Sequence, residues 1–434
     1  MTTSEYPATV LVACPDARPP AYQAVIGLDR AGMLQRFLTG YYYRGPGRLE
    51  GIGLRLAPSR TERWGRTLRR RYDPEIPADR VRCAWSFDLA LRIEARLAVT
   101  RPSARRGVAR WRTRRFDRVL ARTLERDRPA AALVFSDVGT EYALPTCREL
   151  GIPYVLSMVH GDVREERDVL LREAQRSPEF FPLYLGDSQL DSDELNWLHD
   201  RRLAELEAAD RVLVPSDHIA KTLIREGTPP EKIAVIPYAA DIRRFVPDTS
   251  KRPGEACTFL FAGGISQRKG VRYLLEAWRM ARRPGWRLQL LGAVPRDPGP
   301  LGPLLEGVEV LGRVPHAEVP ARMAAADVFV FPSLFEGSAV VTYEALACGL
   351  PSIVTPSAGS VVRDGREGYV VEPAQVEPLA FAMERLGRDP ATRSEMARAA
   401  RARAETFDWP RYHQGTARVL NAVARRAPAE GVLT

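Results

Sequence analysis

Lysine is almost missing from this chain. Only Lys221, Lys232, Lys251 and Lys269 occur among 434 residues that include 64 lysines and arginines and carry a net charge of +10. The basic excess is therefore arginine, a bias that fits a GC-rich genome as much as a function. Cysteine is sparse as well. Cys14, Cys83, Cys147, Cys257 and Cys348 are scattered, odd in number and form no C-x-x-C pair. That pattern argues against a disulfide framework or a cysteine zinc site and fits a reducing compartment. No apolar run reaches the roughly 18 residues of a spanning helix. Residues 1–30 lack the charged start and apolar run of a signal peptide. The expectation is a cytoplasmic protein. Low-complexity tracts, internal repeats and the P-loop spacing are also missing.

What is present is globular: 45% hydrophobic and 27% charged residues. The length points to two domains. Short apolar runs recur at residues 8–14, 131–136, 152–159, 210–216 and 232–237, separated by helical patterns, the first of them from about Ala21 to Phe37. After a polar, proline-containing stretch at 247–256 the alternation restarts, with strands expected in 257–264, 286–294, 308–314, 327–333 and 351–355. This is the pattern of parallel sheets covered by helices on both faces, so the fold class is α/β with two doubly wound domains in tandem. Ligands of such sheets bind beyond the carboxyl ends of the strands.

Two basic patches, 59–74 and 101–123, suit either an anionic surface, such as the inner face of a membrane, or solvated helix faces. In the second, Val108, Trp111, Phe116, Val119 and Leu120 recur at helical spacing, which favours a helix with one buried face. The charge alone would also suit nucleic acid, but no nucleic-acid motif accompanies it, and no such partner is expected. Asp191-Ser192-Asp193 has the D-x-D form of a metal site. It precedes a helical pattern and makes a capping-box spacing with Glu194, so it reads as a helix cap, and no metal is expected.

Two segments carry the chemistry. In "FLFAGGISQRKGVRYLLEAW" a strand runs into Gly263 and Gly264, and Arg268 and Lys269 stand just before a helix. Glycines admit a phosphate to the backbone, a helix start favours anions and the cations add charge. In "FPSLFEGSAVVTYEALACGLPSIVT", Glu336 precedes a helix with Ser338 as its expected N-cap, and Glu344 lies on it. Gly349 and Pro351 close that helix. The amides of Ala339 and Val340 offer a second anion site. Glu344 can accept two hydroxyls, as from a ribose.

Together these segments resemble the retaining nucleotide-sugar glycosyltransferases of the GT-B fold, specifically glycosyltransferase family 4. The marks are the E-x7-E pair Glu336/Glu344, the "SQRKG" turn, residues 208–245, and residues 314–333 leading into the E-x7-E helix. The resemblance implies a GT-B enzyme of two Rossmann-like domains facing a central cleft. Residues 1–247 would form the acceptor side and 248–404 the nucleotide-sugar side, with 405–434 a helix crossing back. It implies that Lys269, helped by Arg268, binds the donor diphosphate and that Glu336 faces the donor sugar. Gly263 and Gly264 would belong to the donor pocket, and Gly337, Ser338, Ala339 and Val340 would reach sugar and phosphate. Glu344 would hold the ribose, Val314 would end the loop that frames the base, and His160 would approach the sugar from the acceptor side.

The donor implied is a UDP- or GDP-sugar, with no cofactor or metal required. The acceptor would be a carbohydrate, a lipid or a small molecule. Departures are an absent arginine five residues before Lys269, where Gly264 stands, and a first-strand loop, 14–23, that has Asp16 and Arg18 but no glycine. The second departure leaves open a GT-B-like module that binds a nucleotide sugar without transfer.

Overall fold

The computed structural model describes residues 8–16, 19–44, 71–100, 102–185, 192–250, 256–295 and 297–425. Arg18, Asp191 and the 59–70 part of the first basic patch lie outside them.

The first half is built on a seven-stranded parallel sheet. Its strands are β1 (Val10–Ala13), β2 (Leu34–Thr39), β3 (Val81–Cys83), β4 (Ala131–Phe135), β5 (Tyr154–Ser157), β6 (Arg211–Val214) and β7 (Ile233–Val235), in the order β3-β2-β1-β4-β5-β6-β7. The second half has six parallel strands: β8 (Cys257–Ala262), β9 (Trp286–Leu291), β10 (Glu309–Gly312), β11 (Val328–Phe331), β12 (Ser352–Val354) and β13 (Gly368–Val370). They run in the order β10-β9-β8-β11-β12-β13. Every residue of β1, β4, β8 and β11 is buried. Helices cover both faces of such a sheet, so its strands read as unbroken apolar runs. Register follows directly: Val12 aligns with Phe37 on one side and Leu133 on the other.

The order reverses beside β1 in the first sheet and beside β8 in the second. A crevice opens at such a reversal because the connections on its two sides depart in opposite directions. The residues after β8 and β11, and after β1 and β4, stand at these crevices, and those after β5 lie one strand further along.

Three expectations need correction. The helical pattern from Ala21 to Phe37 is a helix, Pro19–Arg30, followed by β2. The helix ends where the Gly32 amide bonds back to Asp29 O and Met33 N to Leu28 O, and the next residues enter the sheet. The strands β3 and β13 were not expected. Each has three residues and sits at a sheet edge, too short for a periodic signal. On helix Pro102–Asp127, Phe116 and Leu120 are buried as expected, but Trp111 is 51% exposed. The inner face is shared with Ala109, Thr113 and Asp117. Asp117 accepts from the N–H groups of Glu141, Tyr142 and Ala143 and so caps the helix that follows.

Several arginines of that helix are already paired: Arg105 with Glu194, Arg106 with Asp193, Arg112 with Glu94 and Arg114 with Glu141. This matches the solvated-face reading more than a free cationic surface.

Two of the places where the halves are joined lie away from the strand-end crevices. Helix Trp409–Ala424 returns to the first half, where Tyr412 OH donates to Pro20 O at 3.1 Å and His413 Nε2 lies 2.8 Å from Gln23 Oε1. Arg401 donates to Ile242 O, Phe245 O and Ala347 O, tying the end of the first half to the second.

Candidate functional site

The turn after β8 and the turn after β11 meet. Gln267–Lys269 forms one turn of 3-10 helix, and Gly270 follows in the left-handed region at φ 70°. A Cβ on Gly270 would collide with Pro332 O, so only glycine lets this turn lie against the end of β11. The contact is sealed by Leu334 N donating to Arg268 O at 2.9 Å.

That approach places Lys269 Nζ against Glu336 Oε1, and Arg268 Nη1 3.0 Å from the same oxygen. The Lys269 ammonium also sits 5.0 Å over the Phe331 ring. Burial pushes the lysine down from its ordinary range, and the Glu336 carboxylate opposes that shift. Two cations and one acid therefore share a half-buried pocket, a charge arrangement suited to an incoming polyanion.

The helix Val340–Ala347 starts beside them. Its first N–H groups, those of Val340 and Val341, have no intrahelical acceptor. Two expectations change here. Ser338 is not the N-cap: Ala339 occupies that position, and the Ser338 hydroxyl donates to Gly359 O at 2.8 Å. The Ala339 amide is spent on Ala358 O at 3.0 Å, so the anion-facing backbone begins at Val340.

Glu344 lies a little over one turn into this helix and has no hydrogen-bond or ion-pair partner among the described residues. Burial raises its carboxyl to about 7, against the pull of Arg244. The side chain is half-buried, so its carboxylate stays reachable by an incoming hydroxyl group. Gly263 and Gly264 follow β8, and a Cβ on Gly264 would meet nothing within 4 Å. Val314, just past β10, is half-buried at the rim of the core.

The first half contributes the wall opposite. His160 follows β5, with Nδ1 3.0 Å from Gly161 O and Nε2 3.1 Å from Ser136 Oγ and 3.2 Å from Asp137 Oδ1. A carbonyl only accepts, so Nδ1 carries a proton. Both ring nitrogens are engaged inside the first half.

Behind His160 lies a network that sequence reading did not find. Asp137 stands at φ 85°, and Arg202 grips its two oxygens at 2.7 and 3.1 Å. Burial disfavours that carboxylate, yet Arg202 and His160 hold it well below its ordinary range. Glu205 accepts from the Asp137 and Gly139 amides and from Tyr154 OH at 2.5 Å, and burial raises it to about 7. These partners are 65 or so positions apart in the chain, so no local spacing announces them.

The two walls touch. A Cβ on Gly337 would strike Val159 O and His160 Cα, and Ser216 Oγ donates to Gly337 O at 2.9 Å. Among the described residues no cluster of three or more His, Cys, Asp and Glu side chains could hold a metal ion.

Residues 70–244 match the family model described as Glycosyltransferase Family 4, and residues 256–389 match Glycosyl transferases group 1. A lipopolysaccharide core biosynthesis glycosyltransferase, LpsE, of Rhizobium meliloti is 31% identical over 253 residues, covering 56% of this chain and 72% of the relative. The chain belongs to glycosyltransferase family 4. Solved structures agree with this glycosyltransferase fold along nearly the whole chain. Sucrose-phosphate synthase from Thermosynechococcus elongatus superposes with a TM-score of 0.64 at 18% identity, over 96% of this chain and 98% of that one. Anabaena HepE, solved in complex with UDP, gives 0.61 at 16% identity, over 95% and 100%. The fold is GT-B, as the resemblance implied. The chain spans about half the length of several curated family members it matches. No helix among the described residues is long and apolar enough to cross a membrane.

Proposed function

We propose that this family 4 protein transfers a sugar from a nucleoside-diphosphate sugar to an acceptor hydroxyl, with retention of configuration and without a metal ion. The observation that carries the reading is the convergence of Arg268 and Lys269 on one oxygen of Glu336, beside a helix start and a half-buried, unpartnered Glu344. Each part answers one piece of a donor.

The diphosphate takes the cations and the Val340 end of the helix. Charge grows on it as the glycosidic bond breaks, and prepositioned cations stabilise that charge. This is the service a metal ion would otherwise supply. Glu336, released from its cations, faces the sugar together with Gly337 and Ser338. Glu344 accepts the ribose hydroxyls. Gly263, Gly264 and Val314 border the nucleotide. His160, held by Asp137 and Ser136, closes the sugar pocket from the first half. With the cations on one face of the anomeric carbon, the acceptor enters on that face and the departing phosphate oxygen takes its proton.

The donor is a UDP- or GDP-sugar, and the complex of HepE with UDP supports a uridine nucleotide. The acceptor is a carbohydrate or a lipid-linked glycan, and the name of the relative LpsE supports a glycan. We assign residues 1–247 to the acceptor side, 248–404 to the donor side and the segment from 405 to the returning helix, whose expected 426–434 end lies outside the described residues. The protein acts in the cytoplasm, where nucleotide sugars are made.

The test is a panel of nucleotide sugars screened for thermal stabilisation, followed by transfer assays with the best donor in the presence of a chelator. One donor should stabilise, and an anomer of unchanged configuration should appear by NMR. An inverted product, or chelator-sensitive transfer, overturns the mechanistic part. No stabilisation by any UDP- or GDP-sugar overturns the donor assignment.

A further inference from the structure

The turn that carries Arg268 and Lys269 is held from outside its own half. Glu173 belongs to the first half, on helix Val163–Arg176, and is 2% exposed. Its Oε2 accepts from Gln267 Nε2 at 2.6 Å and its Oε1 from Tyr273 OH at 2.7 Å, both in the second half. Gln267 is the residue immediately before Arg268, and Tyr273 lies on the helix that follows Lys269. A third bond runs the same way, from Arg268 N to Tyr184 O at 3.0 Å.

The bonds enclose a separate apolar cluster that itself spans the halves: Val169 and Tyr184 from the first, Tyr273 and Leu334 from the second. Burial raises the Tyr273 phenol to about 12, so it remains a donor to Glu173 throughout the neutral range. The Glu173 helix is capped by Asp162, two residues after His160. One rigid element therefore runs from the acceptor-side histidine to the donor-side cations.

We propose that Glu173 is a positioning residue, a latch that holds the Gln267–Lys269 turn to the first half so that the cation pair is aligned only when the cleft is closed. The inference rests on the donor reading above. A buried carboxylate is costly unless its oxygens are satisfied. Both oxygens here are satisfied across the cleft, so opening would strand them. Closure and cation placement are thereby one event. Donor affinity depends on a residue that touches no donor.

The test uses the full chain with Glu173→Ala and Glu173→Gln. The Gln variant keeps an oxygen for Tyr273, and its amide can donate to a turned-over Gln267, whose Oε1 is buried without a partner. Small-angle scattering without ligand reads closure, and calorimetry with UDP and GDP reads the cation site. Glu173→Ala should show a larger radius of gyration and about tenfold weaker binding of whichever nucleotide the unsubstituted protein takes. Glu173→Gln should keep the compact radius and bind within about threefold of the unsubstituted protein. A merely structural role would lower the melting temperature without moving the affinity. An unchanged radius in the Ala variant overturns the latch. If neither nucleotide binds the unsubstituted protein, the donor reading fails and scattering alone decides the latch. Should the Ala variant fail to fold, Gln267→Ala removes one of the two bonds from the other side and is read the same way.

Discussion

A single carboxylate oxygen, Glu336 Oε1, receives both the Lys269 ammonium and the Arg268 guanidinium. The cation pair is thus partly neutralised by the protein's own acid, and on the proposed reading a donor diphosphate takes that acid's place. Glu336→Gln should bind nucleoside diphosphate several-fold more tightly while transfer falls by about a hundredfold or more. Lys269→Ala should weaken both. Calorimetry beside a transfer assay separates the two effects, and weaker nucleotide binding by the Gln variant would contradict the exchange.

Glu344 predicts a pH dependence. Its carboxyl titrates near 7 in the folded protein and near 4.5 when exposed. The folded state therefore holds an extra proton between those values, and stability falls as pH rises through that window. A ribose bound through the carboxylate reverses the preference. Nucleotide affinity should rise with pH across about 6 to 8, and Glu344→Gln should lose that component. The difference between the two titration series cancels the phosphate's own ionisation. Parallel curves would remove Glu344 from the site.

At Gly337 the two halves meet backbone against backbone. Gly337→Ala should lower stability by about 1–3 kcal/mol, because the added carbon meets the Val159 carbonyl rather than a yielding side chain. Gly264→Ala is the control. It has open space at that carbon and should leave the melting temperature unchanged. Thermal denaturation of both variants is sufficient to check this.

His413 reports on the returning helix. Burial lowers its pKa to about 4 from an ordinary 6.5. The unfolded state binds the extra proton between these values, so this contribution to stability is complete above about 6.5 and lost as pH falls toward 4. His413→Gln should flatten the dependence of melting temperature on pH in that window. An unaltered slope would mean that the helix stays docked with a charged imidazole.

Much of this molecule is legible locally. The buried strands read as apolar runs because parallel sheets are covered on both faces. Arg268 and Lys269 share one turn, and Glu336 and Glu344 share one strand–helix unit, so short spacings reveal them. Local pattern failed where the next residue's environment decides. Ser338 looks like a helix cap, but Gly359 O, brought in by a separate loop, takes its hydroxyl and leaves the capping position to Ala339. The run after Arg30 looks helical until β1 offers it a strand partner.

The sequence by itself determined two doubly wound halves and singled out the residues proposed for the donor side, because periodicity and turn chemistry act over a few residues. Tertiary structure alone decided that Asp137 and Arg202 hold His160, that Glu173 reaches Gln267, and that Gly337 meets Val159. Arg202 and Glu173 lie on helices and the other partners at strand ends, and which of these meet depends on sheet order and on how the two halves dock. Neither leaves a mark in the spacing of residues along one segment.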